Sequence, residues 1–221
     1  MKKSLRVGVF MTLTLGLVLW VFALGTGETG VPKAKLPVLT TSAGQSPDVT
    51  TLNIVLEEAG VPYDYCDVAT VELAEAGVGL AGKESGPGFH VEVYTDLDKF
   101  PKGTPYKTLI FAIGASLKGM GASGLTVSNE VDRLNKLINH CKKKGIFIIA
   151  VHVGGSSKRG DSDNEKMIDA VAPFANYLVV TKESNSDGRF SKIAQEKKIP
   201  LTEVEYALNL VDIIKQVFQA K

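Results

Sequence analysis

From Leu36 onward, short runs of β-branched and aromatic residues alternate with stretches whose apolar residues recur every three to four positions. That alternation predicts strands joined by helical crossovers. The first run, Leu36 to Thr41, leads through Ser42-Ala43-Gly44-Gln45 into Ser46-Pro47-Asp48, which supplies an N-cap, a proline at the first helical position and an early acid. Leu52, Val55, Leu56 and Ala59 give this helix its buried stripe, and Gly60 ends it. A second strand is predicted over Tyr63 to Val68. Between Ala69 and Lys107 the pattern weakens to a short helix at Val71 to Ala76, a glycine-rich loop through Gly88, a strand around His90 to Thr95 and a turn at Pro101 to Pro105.

Thr108 to Ile113 and Ile146 to Val153 are unbroken apolar runs, the signature of central strands buried on both faces. Between them lie a loop, Gly114 to Gly124, and a long helix that closes with three lysines and Gly145, as the helix dipole and C-cap geometry favour. After the loop Gly154 to Asp161, Ser162 and Glu165 form a capping box for a helix carrying Ile168, Val171 and Ala175. A strand at Tyr177 to Thr181, a helix at Phe190 to Lys197, an edge strand at Leu201 to Val204 and an amphipathic helix from Ala207 to Phe218 complete the chain. The fold class implied is α/β, a Rossmann-like or flavodoxin-like three-layer sandwich around a mostly parallel central sheet.

The first 25 residues break the pattern. Lys2, Lys3 and Arg6 precede an almost unbroken apolar run from Val7 to Leu24, the layout of a signal peptide or of an N-terminal membrane anchor. At roughly 17 to 18 residues the run is near the lower limit for a spanning helix, so cleavage and retention both stay open. No cysteine follows to carry a lipid. Residues 26–35 form a Gly, Thr, Pro and Lys-rich tether, and 36–221 fit one domain. The expected address is extracytoplasmic, secreted or membrane-anchored.

Charge narrows the partners. Without Lys2, Lys3 and Arg6 the formal +1 of the chain becomes −2, and only 7% of residues are aromatic. Nucleic acid is therefore not an expected partner. Cys141 falls on the apolar stripe of the long helix and Cys66 in the second strand; both read as buried thiols, with a bridge between them left open. Two cysteines without clustered partners give no metal site, and no cofactor motif is present.

In an open parallel sheet, ligands sit beyond the carboxyl ends of the strands. Four loops meet that condition: 41–46, 114–124, 152–161 and 182–189. The second carries glycines and Lys118, which suits an anion. Its Gly119, Gly121 and Gly124 spell G-x-G-x-x-G, but after a later strand than the dinucleotide fingerprint requires. The third offers His152, Gly154, Gly155 and Arg159, groups that suit phosphate, sulfate or carboxylate. Ser42, Gln45, Ser116, Lys118, Gly119, His152, Gly154, Gly155, Arg159, Lys182 and Asn185 are thus the candidate ligand contacts. The leading reading is a non-catalytic binding domain for a small anionic metabolite. One alternative is a serine hydrolase with Ser116 as nucleophile, His152 as base and Asp187 as orienter, although no G-x-S-x-G elbow is present. Another is a protein interaction module at the membrane surface, docking a membrane transporter or envelope protein.

The segments Gly114 to Gly124 (Gly-Ala-Ser-Leu-Lys-Gly-Met-Gly-Ala-Ser-Gly), His152 to Gly160 (His-Val-Gly-Gly-Ser-Ser-Lys-Arg-Gly) and Asn185 to Phe190 (Asn-Ser-Asp-Gly-Arg-Phe) resemble a family of exported bacterial proteins known only as a domain of unknown function. The resemblance extends over nearly everything from Leu36. It implies the address and the single domain, and it carries no activity, cofactor or catalytic residue.

Overall fold

The computed structural model describes residues 30–220. The signal or anchor expected over 1–25 lies outside them, as do residues 26–29 of the tether; among the described residues no helix is long and apolar enough to cross a membrane. Seven strands form one sheet: β1 (Val38–Ala43), β2 (Tyr63–Cys66), β3 (Val91–Val93), β4 (Thr108–Ile113), β5 (Phe147–His152), β6 (Tyr177–Thr181) and β7 (Leu201–Val204). Their spatial order is β3-β2-β1-β4-β5-β6-β7, parallel throughout except for β3, which runs antiparallel to β2.

Seven helices cover the two faces: α1 (Asp48–Glu58), α2 (Val71–Ala76), α3 (Leu117–Ala122), α4 (Val127–Lys144), α5 (Ser162–Val171), α6 (Arg189–Lys197) and α7 (Leu210–Phe218). α1 and α7 share one apolar layer with Val38, Ile110 and Val179, while α2, α4, α5 and α6 share the other with Leu39, Phe111 and Leu178. The alternation of side chains along each strand feeds both layers, which yields the three-layer α/β sandwich expected. β1 and β4 are neighbours, yet β1 sends its helix to one face and β4 to the other. The chain parts between their carboxyl ends, so that is the topological switch point.

Several local expectations change. β1 runs two residues further than predicted, so Ser42 belongs to the strand. The stretch 114–124 is not all loop: the Ser116 hydroxyl accepts the Gly119 N–H and Met120 is buried, which together wind α3. α5 is capped by Asp161, whose Oδ1 accepts the amides of Asp163 and Asn164 at 3.0 Å each, while Glu165 turns back to the Gly160 amide and to Arg159. The expected capping box on Ser162 is therefore displaced by a longer acid one residue earlier. α1 begins after Pro47, which has no side-chain group to cap it; the Ser46 hydroxyl donates to the Asp48 carboxylate at 2.8 Å and accepts the Asp48 amide at 3.3 Å. A 3₁₀ turn, Ala207–Asn209, precedes α7. Cys66 and Cys141 are free and buried, and burial pushes each thiol up to about 12.

Candidate functional site

Three strand ends enclose a cavity of about 510 Å³ at the switch point, within the range of small-molecule sites. Its walls come from Ser42 at the end of β1 and Gln45 beyond it, Asp67 after β2, and Ser116, Lys118 and Gly119 after β4. The first turn of α1 (Pro47, Val49, Thr50) opens on one side, and Tyr65, Phe89 and His90 form an aromatic side.

The β1 loop is held from behind. Glu130 and Arg133 on α4 form a buried ion pair at 2.7 Å. Glu130 accepts the Gly44 amide at 2.8 Å, and Arg133 donates to the carbonyls of Ser42 and Ala69 at 2.6 and 2.8 Å. Gln45 sits at φ 58, a left-handed conformation that costs a side-chain-bearing residue, and the surrounding bonds impose it. Its amide donates to the Asp67 carbonyl at 3.0 Å, so Gln45 is tied into the wall. Gly119 is required here: a Cβ would stand 2.1 Å from the Gln45 carbonyl oxygen. Gly121 meets nothing within 4 Å and Gly124 (φ +68) ends α3, so the three glycines serve loop packing and a turn rather than a dinucleotide cradle.

Polar groups in β1 are satisfied in order until the rim. The Thr40 hydroxyl donates to Asn53 at 2.9 Å and that of Thr41 to the Asp67 carbonyl at 3.1 Å. Ser42, 1% exposed, has an Oγ with no hydrogen-bond partner. Asp67 lines the cavity, with Oδ1 accepting the amides of Val68 and His90 at 2.7 and 2.9 Å. Burial holds this carboxyl above the usual carboxylate range, against those two bonds. Lys118 is exposed and makes no ion pair among the described residues. The Asp48 carboxylate lies against Gly114 and Gly154, where a Cβ would come within 2.4 and 2.8 Å of it.

The other predicted residues form a separate, closed cluster beyond β5 and β6. His152 is fully buried, with Nδ1 2.8 Å from the Ser184 hydroxyl and Nε2 3.3 Å from the Lys158 carbonyl. The carbonyl can only accept, which assigns the ring proton to Nε2; burial lowers the pKa to about 4. Arg159 pairs with Glu165 at 2.9 Å and with Asp187 at 2.6 Å, and also donates to the Ser184 carbonyl. Lys182 is paired with Glu205 at 2.6 Å. Asn185 bonds the Phe190 amide at 2.8 Å and Glu203 at 2.6 Å. Gly154 and Gly155 make room for Lys158 and Glu183.

The eleven candidates thus divide: Ser42, Gln45, Ser116, Lys118 and Gly119 share the cavity, whereas His152, Gly154, Gly155, Arg159, Lys182 and Asn185 do not line it. No hydrogen bond joins Ser116, His152 and Asp187. The Ser116 hydroxyl caps α3, and Asp187 serves Arg159. Among the described residues no group of three His, Cys, Asp or Glu side chains could hold a metal ion. Asp67, Tyr65, Phe89, His90 and the first turn of α1 join the site without having been singled out. Ending β2 at Cys66 instead of Val68 would have put Asp67 on the rim.

The architecture is that of a doubly wound α/β domain with a polar cleft at its switch point. The chain belongs to the family described as "Domain of unknown function (DUF6305)", which matches residues 35–218. No curated protein matches it. Among solved structures it is similar to the YdjI aldolase from Escherichia coli K12, at 12% identity over 83% of this chain and 93% of that one, with a TM-score of 0.22. A TM-score that low carries no inference about this chain.

Proposed function

We propose that this domain holds a small anionic ligand in the cleft between the ends of β1 and β4, without chemistry of its own. The observation that carries the reading is Ser42: a hydroxyl removed from water with no partner costs about 1–3 kcal/mol, and an acceptor atom on a ligand relieves that cost. Two further features favour negative charge. Residues of the first turn of α1 line the cavity, and the partial positive charge of a helix start, here shared with the Asp48 carboxylate, attracts anions. Lys118 brings an ammonium that makes no ion pair among the described residues. Catalysis by Ser116 has little behind it, since its oxygen is committed to the Gly119 amide.

The proposed place of action is outside the cytoplasm, on the basis of the basic and then apolar residues 2–24. The test is a melting-temperature panel of carboxylates, phosphates and sulfate on the full-length protein. A ligand at a hundred times its Kd adds about 2.7 kcal/mol, roughly 5–10 °C for a domain of this size. At least one anion should give such a rise, and Lys118→Ala should abolish it. A panel in which no anion moves the transition overturns the reading.

A further inference from the structure

We infer that the ligand is amphoteric, a small amino acid or similar zwitterion, with its anionic end at Lys118 and the first turn of α1 and its ammonium on the Asp67 carboxylate. This rests on the binding reading above and adds the chemical class of the ligand. An anion alone accounts for only one side of the cleft. On the other side Asp67 presents a carboxyl that has no ion-pair partner among the described residues. Its two hydrogen bonds both fall on Oδ1, from Val68 and His90, and no donor among the described residues reaches Oδ2. Arg133, on the far side of the β1 loop, spends its donors on Glu130, Thr41, Ser42 and Ala69. An ammonium supplies this carboxyl with three donors and the opposite charge, which a purely anionic guest does not.

The cavity suits a small molecule: Asp67 follows β2 and Lys118 lies in α3 beyond β4, both strands flank β1, and both residues line the same space of about 510 Å³. Between these residues the guest would find the Ser42 hydroxyl as a donor to its carboxylate. Tyr65 and His90, with ring centroids 5.7 Å apart, offer faces against which an ammonium or an apolar side chain packs.

Isothermal titration of the full-length protein with the common L-amino acids, each beside its N-acetyl derivative and its amide, tests the inference. At least one free amino acid should bind, with both derivatives at least tenfold weaker. Asp67→Asn, which keeps an oxygen for the two amides, should weaken the free amino acid at least tenfold and leave the N-acetyl derivative within twofold. An N-acetyl derivative as tight as its parent, or acetate and phosphate binding more tightly than every amino acid, overturns the zwitterion while leaving an anion site standing. Silence from every probe, acetate and phosphate included, removes both. The derivative comparison on the unaltered protein decides the matter even if the variant fails to fold.

Discussion

Two buried polar side chains near the sheet's carboxyl edge behave in opposite ways. Ser42 has no partner, whereas His152 has one on each nitrogen. Ser42→Ala removes a desolvated hydroxyl that no protein group satisfies, so the ligand-free protein should become more stable by up to about 1 kcal/mol. Ligand affinity should fall at the same time; thermal melts with and without ligand separate the two effects, and a variant that loses stability contradicts the assignment. For His152 the linkage has a definite sign. The folded protein holds the ring neutral down to about 4, while the unfolded chain takes up a proton near the ordinary 6.5. Between those values the unfolded state binds more protons, so stability falls as pH drops, by roughly 3 kcal/mol over the whole window. Urea unfolding at pH 7 and pH 4.5 should show most of that loss, and His152→Gln should lack it.

At the scale of elements, the cleft depends on a loop that the helix behind it holds in place. The Glu130–Arg133 pair is almost wholly buried and bonds the Gly44 amide and the Ser42 carbonyl. Removing one partner strands the other charge. Glu130→Ala and Arg133→Met should each cost about 3–5 kcal/mol, and the double variant less than their sum. Urea unfolding measures the cost, and faster amide exchange at Gly44 would report the loosened loop. Nothing in the sequence marks this pair, since two opposite charges three apart on a helix usually read as a solvated face. The strands and long helices were legible because their apolar spacing is strong: β4, β5, β6 and α4 lie within a residue or two of expectation. The parts that failed were set by side-chain bonds invisible to periodicity. Ser116 and Met120 turned an apparent loop into α3, and Asp161 took the cap expected of Ser162.

Across the whole molecule, one rule selected the candidate edge and tertiary pairing then divided it. Basic residues after β5 and β6 looked like anion contacts in the sequence, but Arg159 is matched by Glu165 and Asp187, and Lys182 by Glu205, none of them close enough in sequence to signal the match. The half at the switch point keeps an open cavity, an unpaired lysine and an unsatisfied hydroxyl. The proposed binding therefore belongs to one side of that edge, and paired side chains fill the other. Amide chemical-shift mapping of the labelled protein, titrated with the common L-amino acids beside acetate and phosphate, tests this most directly. At least one of these should give saturable shifts at Ser42, Thr50 and Gly119 with one common affinity, while Arg159 and Asn185 stay still. Shifts centred on residues 154–159 or 182–189, or none anywhere, would contradict it.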